Sequence, residues 1–233
     1  MHSLNIKNLK KAKVHNIPIM DAQSLEKAVT EVKKEAEKSK KKFNQSIDLV
    51  IITKPRKSKA EEPVDSIVYL PNKVREVKTC AFVDKDMSTQ SSGVFSKVIL
   101  KDDFANFEKK SIRRLTHEFD YFFAEASIMA PVAAKFGKQL TALNKMPNPK
   151  TNTVVTPSSN LKAAVEKIQF MTRLSTKKNN AMSVKVGDVK SEDKNIISNV
   201  NAIYSVIKSA LLNGEAGIKH VYLKPTMGKL VAL

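Results

Sequence analysis

The sequence predicts a mixed α/β and α+β protein of two domains: a split α+β sandwich assembled from both ends of the chain, and a three-layer α/β domain inserted between them. Three observations predict it. Strand and helix patterns alternate through residues 73–149, as in a parallel sheet with helices on both faces, whereas the flanking segments spell short strands grouped with helices. Two proline-bearing pauses, Leu70-Pro71-Asn72-Lys73 and Met146-Pro147-Asn148-Pro149, stand where the pattern changes. The charge is also uneven: residues 1–60 carry 15 basic against 6 acidic groups and residues 151–233 carry 12 against 5, so most of the net +18 belongs to the two flanks. The expected domains are a basic N-terminal extension over 1–19, a terminal-built domain over 20–72 and 150–233, and a Rossmann-like insertion over 73–149.

The elements follow in order. Leu25, Ala28, Val29, Val32 and Ala36 recur with helical spacing and mark one apolar face. The run Lys38 to Lys42 ends that helix, where cations complement the C-terminal dipole, although such a run is equally an ordinary solvated face. Ser46 to Thr53 and Val64 to Leu70 read as strands across a charged, proline-bounded loop. In the middle, Val77 to Val83, Val98 to Leu100 and Phe119 to Ala124 are predicted strands, and Ser88 to Gly93 a polar connection. Asp102 or Asp103 is placed to cap a helix carrying Phe104, Phe107, Ile112 and Leu115, and Ser127 one carrying Met129, Val132, Ala133 and Phe136. Beyond the second pause, Ser158 or Ser159 opens a helix with Leu161 and Ile168. Ile168 to Leu174 and Ala181 to Val189 are strands across a basic tip, Thr176 to Asn180. A long helix then buries Ile197, Val200, Tyr204, Ile207 and Leu211, Gly214 and Gly217 stop it, and Ile218 to Leu223 is the last strand.

Composition narrows the function. With 42% hydrophobic and 27% charged residues the chain is an ordinary globular one. Its single cysteine, Cys80, allows no internal disulfide, no Cys/His set offers four zinc ligands, and no apolar run approaches the roughly 18 residues that span a bilayer. The expectation is a soluble intracellular protein without metal or cofactor and with no membrane partner. A pI near 9.8 is the signature of a polyanion binder, nucleic acid first. Catalysis has no visible machinery. The alternating middle lacks the glycine-rich turns that let backbone N–H groups approach phosphates, and nothing pairs His117 as a base with Cys80 as a nucleophile.

Two places combine basic groups with residues suited to RNA: Lys40 to Ser46 and Lys224 to Lys229. Lysines there would neutralise phosphates and release counterions, hydroxyls and backbone amides would meet riboses, and Gly228, without a Cβ, would let its backbone approach RNA closely. The plainer alternatives are a strand-end turn for Thr226-Met227-Gly228 and a core position for Phe43.

Four segments in the right order resemble the L-one family of ribosomal proteins. They are Phe43-Asn44-Gln45-Ser46-Ile47-Asp48-Leu49, Leu70-Pro71, Lys145-Met146-Pro147-Asn148-Pro149, and Val221-Tyr222-Leu223-Lys224-Pro225-Thr226-Met227-Gly228. The likeness covers residues 20–233 and is greatest to the archaeal and eukaryotic cytosolic branch, the archaeal form closer. It implies a non-enzymatic constituent of the mobile stalk of the large ribosomal subunit, in the cytoplasm, which binds large-subunit rRNA and assists release of deacylated tRNA from the exit site. It also implies repression of translation by binding a similar structure in its own mRNA. Carried over residue by residue, RNA contacts fall on Lys42, Phe43 and Ser46, on Thr226, Met227 and Gly228, and less closely on Lys177 and Asn179; the two basic runs add Lys41 and Lys224. A hinge falls on Leu70, Pro71, Met146 and Pro147. The alternatives are a ribosome-assembly factor of the same fold and, further off, a nucleotide-dependent enzyme using the insertion. The chain departs from the family in three places. Phe136 to Lys145 keeps only Gly137 of the usual glycines, Pro225 stands where Ser or Thr is usual, and residues 1–19 have no counterpart, being either a basic RNA-gripping tail or an upstream start with Met20 as the true beginning.

Overall fold

The computed structural model describes residues 22–38, 41–55, 63–157, 159–176, 179–211 and 214–233. The expected extension over 1–19, the cap position Ser158 and Lys177 lie outside them. The chain divides into two compact units, one made of the described residues up to Val74 together with Phe170–Leu233, the other of Arg75–Gln169.

The terminal-built unit has a four-stranded antiparallel sheet in the order β10-β9-β1-β8, with β1 Ser46–Thr53, β8 Ala181–Asp188, β9 Ile218–Pro225 and β10 Val231–Ala232. Alternation sends Ile47, Leu49 and Ile51 of β1 to one face, where they bury with Leu25, Val29 and Val32 of α1 (Ala22–Lys38) and with Ile196, Val200 and Ile203 of α6 (Asp193–Ala210). On α6 the expected Val200, Tyr204 and Ile207 are buried, but the stripe extends to one side of them: Ile196 and Ile203 are fully buried, while Ile197 and Leu211 sit at its margin. A second antiparallel pair joins β2 (Asp65–Tyr69) to β7 (Met171–Ser175), tied by a bidentate ion pair of Arg173 with Asp65 at 2.8 and 2.9 Å. The two strands across the basic tip, β7 and β8, thus belong to different sheets.

In the inserted unit all pairings are parallel, in the order β4-β3-β5-β6. The strands are β3 Thr79–Val83, β4 Lys97–Leu100, β5 Tyr121–Glu125 and β6 Val154–Val155. Parallel strands covered on both faces read as continuous apolar runs, and β3 is buried at all five positions. Cys80, Phe82, Phe122 and Ala124 pack on one face against Ile112 and Leu115 of α3 (Lys109–Glu118) and Val132, Phe136 and Leu140 of α4 (Met129–Ala142). On the other, Phe123 meets Phe95 with ring centroids 4.9 Å apart.

Several local expectations differ. The polar stretch after β3 is a helix, α2 (Lys85–Ser91), because the Asp84 carboxylate caps it by accepting the Lys85 N–H. The helix expected from Asp102 is broken into a 3-10 turn, Lys101–Asn106, and α3, whose N-cap is Glu108. Ser127 caps nothing and donates instead to the Glu125 carboxylate at 2.6 Å. Asn160 receives the Ala163 N–H at the start of α5 (Leu161–Gln169).

The crossings between units also fall differently. The first, after Val74, lies close to the pause at Leu70-Pro71. The return lies at Gln169–Phe170 rather than at Met146 and Pro147. The reason is local: Met146 packs against the aromatic core, Pro147 is buried, and β6 then pairs with β5, which keeps the chain in the insertion through α5. Leu70 donates its N–H to Phe170 O at 2.8 Å, so the two crossings adjoin the same strand pair. Just beyond, the buried Asn199 side chain clamps residue 72, accepting the Asn72 N–H (3.1 Å) and donating to Asn72 O (3.3 Å) and Val186 O (2.9 Å).

Candidate nucleic-acid interface

The antiparallel register sets Ile47 opposite Pro225 and thereby brings the turn after α1 beside the turn after β9, residues far apart in sequence. Ser46 and Thr226 lock the two together. The Thr226 N–H donates to Ser46 O (2.9 Å), the Ser46 N–H donates to Thr226 Oγ1 (3.1 Å), and the two hydroxyls are 3.0 Å apart. Gln45 completes the joint. The residue is 4% exposed, and its amide donates through Nε2 to Ala36 O near the end of α1 (3.0 Å) and accepts the Met227 N–H at Oε1 (3.1 Å). Its own carbonyl accepts the Val189 N–H (2.9 Å). One residue therefore fixes three chain segments. Sequence reasoning passed over it, because a glutamine between Asn44 and an alternating strand reads as loop; the only signal was its place just before the strand begins.

Around this joint the side chains expected to meet RNA stand outward. Lys41, Lys42 and Asn44 are exposed. Phe43 and Met227 are 51% and 52% exposed, two of the three large apolar side chains left open among the described residues. Neither is a core residue, and both flank Gln45. A shallow cleft beside them is lined by Glu37, Lys41, Lys42, Phe43, Val189 and Lys190. Lys229 adds charge at the same edge: the Glu35 carboxyl of α1 is held below its ordinary range, first by its hydrogen bond from Lys38 and then by the charges of Lys38 and Lys229.

On the sheet face turned away from the helices, Asp48 stands across from Lys224 on one neighbour and Lys185 on the other. Burial raises its carboxyl pKa, and the two lysines only partly offset that. Lys185 was not anticipated from the sequence. Lys224 is half-buried in this row and not free on a tip.

Gly228 has a packing reason of its own. A Cβ there would lie 2.3 Å from Cγ of Pro225, so the missing side chain makes room for the proline ring, with the Gly228 N–H donating to Pro225 O at 3.3 Å. Pro225 and Gly228 form one packed turn. Asn179 is exposed but lies at the other end of β1: its neighbour Asn180 accepts the Thr53 N–H (2.8 Å), and the eight-residue strand between Ser46 and Thr53 spans about 23 Å. The structure brings Lys41, Lys42, Phe43, Ser46, Lys224, Thr226, Met227 and Gly228 to one end of the sheet and leaves Asn179 at the other.

Cys80 is fully buried and its thiol is pushed up to about 12, chiefly by desolvation, so it stays protonated and out of reach. His117 is exposed on α3. No group of three His, Cys, Asp or Glu side chains among the described residues could hold a metal ion, and no helix among them is long and apolar enough to cross a membrane.

Residues 32–229 match the Ribosomal protein L1p/L10e family. The chain is 31% identical over 216 residues to the large ribosomal subunit protein uL1 of Pyrococcus abyssi, covering 91% of this chain and 95% of that one. With uL1 of Methanothermococcus thermolithotrophicus it shares 30% over 213 residues, 90% and 97% covered. With that of Thermoplasma volcanium it shares 27% over 221 residues, 91% and 96% covered. A match over nearly the whole of both partners, with the matched segments meeting at one sheet end, places this chain in the ribosomal protein L1p/L10e family.

Proposed function

We propose that this structural, non-enzymatic ribosomal protein is a constituent of the large subunit of the cytoplasmic ribosome and anchors to folded rRNA of the mobile stalk through its terminal-built unit. The observation that carries this reading is the joint made by Gln45, Ser46 and Thr226, which presents Lys41, Lys42 and Phe43 from one end of the chain beside Met227 from the other. Lysines there neutralise phosphates, while Phe43 and Met227 supply apolar contact to sugars and bases that salt does not weaken. The same surface serves for a similarly folded element in the protein's own mRNA. The inserted unit meets exit-site tRNA and moves about the crossings near Leu70 and Pro71, helping deacylated tRNA leave.

Co-sedimentation tests it. The protein should travel with finished large subunits at moderate salt, and the double variant Lys41→Ala with Lys42→Ala should come off them at a lower salt concentration. Recovery only with precursor particles would contradict the reading and favour an assembly factor.

A further inference from the structure

The inserted unit carries a concentration of charge that the terminal interface does not use. In α3, Lys110, Arg113, Arg114 and His117 recur at i, i+3, i+4 and i+7 and occupy one face, opposite the buried Ile112, Leu115 and Thr116. All four are exposed, flanked by Lys109 on one side and by the exposed Glu118, at i+4 from Arg114, on the other. We propose that this face docks the phosphate backbone of a structured RNA, giving the protein a second RNA contact separate from its rRNA anchor. This rests on the reading above, in which the inserted unit meets exit-site tRNA, and assigns the surface that does so.

Three features set the face apart from an ordinary solvated one. First, the unit does pair some of its cations, Lys85 with Asp102 at 2.7 Å, Arg75 with Asp120 at 3.1 Å and Lys101 with Asp84 at 3.7 Å, but leaves the densest cluster of them unpaired. None of the α3 cations forms an ion pair with a described residue. Second, the helix works against itself. Lys109 and Arg113, like Lys110 and Arg114, are like charges at i, i+4, and two lysines stand in a first turn that has no acid and whose N-cap makes no side-chain hydrogen bond. An anionic partner relieves all of these at once. Third, the face is rigid. The Lys145 ammonium donates to Thr116 O (2.8 Å) and Phe119 O (2.7 Å), tying down the C-terminal end of α3, while Ile112 and Leu115 sit in the aromatic core.

The geometry suits a backbone. From Lys110 to His117 the helix rises about 10 Å, the axial length of about three phosphates on one strand of a duplex. No large apolar side chain is exposed in this unit among the described residues, so the face reads charge and not sequence.

The test uses the full-length protein and bulk deacylated tRNA as probe, measuring affinity against salt concentration. A triple variant, Lys110→Gln with Arg113→Gln and Arg114→Gln, is compared with a control that removes the same charge elsewhere in the unit, Lys150→Gln with Lys162→Gln and Lys167→Gln. The α3 variant should lower the salt slope by about one unit for each phosphate it no longer neutralises, about two to three in all, and the control by less than about one. Neither variant should melt lower, since every altered side chain is exposed, and the α3 variant should melt slightly higher because its like-charge pairs are gone. Equal slope changes in the two variants, or none in either, would overturn the proposal. Association with isolated large-subunit rRNA reads the anchor separately: Thr226 and Met227 variants should bind it poorly and the α3 variant should bind it as the unaltered protein does, so either reading can fail alone.

Discussion

The two units solve the problem of a basic surface in opposite ways. The terminal-built unit has an aliphatic core on one face of an antiparallel sheet, and at the sheet's end it leaves Phe43 and Met227 open among lysines. The inserted unit wraps a parallel sheet around phenylalanines, with Phe82 against Phe104, Phe122 and Phe136 at 5.7, 5.8 and 4.8 Å between ring centroids, and among its described residues exposes no large apolar group. Its surface offers charge alone. A site with apolar surface and fixed hydrogen-bond geometry is able to select a folded RNA, whereas a ridge of cations holds any phosphate backbone and yields to salt. The first suits an anchor and the second a passing encounter.

The largest expected effect separates the cores. Phe82→Ala should cost the inserted unit about 3–5 kcal/mol, read as a fall in one calorimetric transition, while rRNA binding by the terminal-built unit persists below that transition. If both transitions fall together, the units are not energetically distinct and the contrast has no basis. Next comes the joint. Gln45→Leu leaves the Ala36 carbonyl and the Met227 N–H without their partner, at about 1–3 kcal/mol for each group that stays buried, and should lower both stability and rRNA affinity. Gly228→Ala forces its Cβ into the Pro225 ring, costing about 1–3 kcal/mol as other overpacked sites do. Adding Pro225→Ser should restore most of that in a double-mutant cycle. No rescue would mean that the glycine answers to RNA and not to the proline.

Smaller effects sharpen the electrostatic side. Lys41→Ala with Lys42→Ala should leave the melting temperature unchanged and lower the salt slope of rRNA binding by about one unit per lysine. Asp48 tests the sheet face. Its folded pKa is raised, so its charged form opposes folding above that pKa, and the penalty disappears as pH falls through it toward the ordinary carboxylate value. Asp48→Asn should therefore stabilise slightly near neutral pH and give no gain in acid; a gain that persists at low pH would assign the effect to something other than charge.

What the sequence made legible follows from how strongly each pattern is constrained. Residues 46–53 alternate between two surfaces of unlike chemistry, so the expected strand coincides with β1. The α1 stripe is equally plain, with all five expected positions buried. The misses lie where a local bond outweighs pattern. One carboxylate cap turns the polar stretch after Val83 into α2, and on α6 a single position separates Ile196 from Ile197 without changing the hydrophobic count. The return crossing was misplaced because two prolines look like a boundary whether or not the chain then rejoins the sheet it has just left. At the interface, the exposed residues were readable from charge and from the family likeness. Gln45 and the Pro225–Gly228 packing were not, since both depend on which residues the register brings together.

Photo-crosslinking tests most directly whether head and tail of the chain make one RNA platform. With a photoreactive phenylalanine analogue placed singly at position 43 or position 227 of the full-length protein, irradiation of large subunits should attach both to the same short helix of large-subunit rRNA. Attachment to unrelated RNA segments, or from one position only, would contradict it.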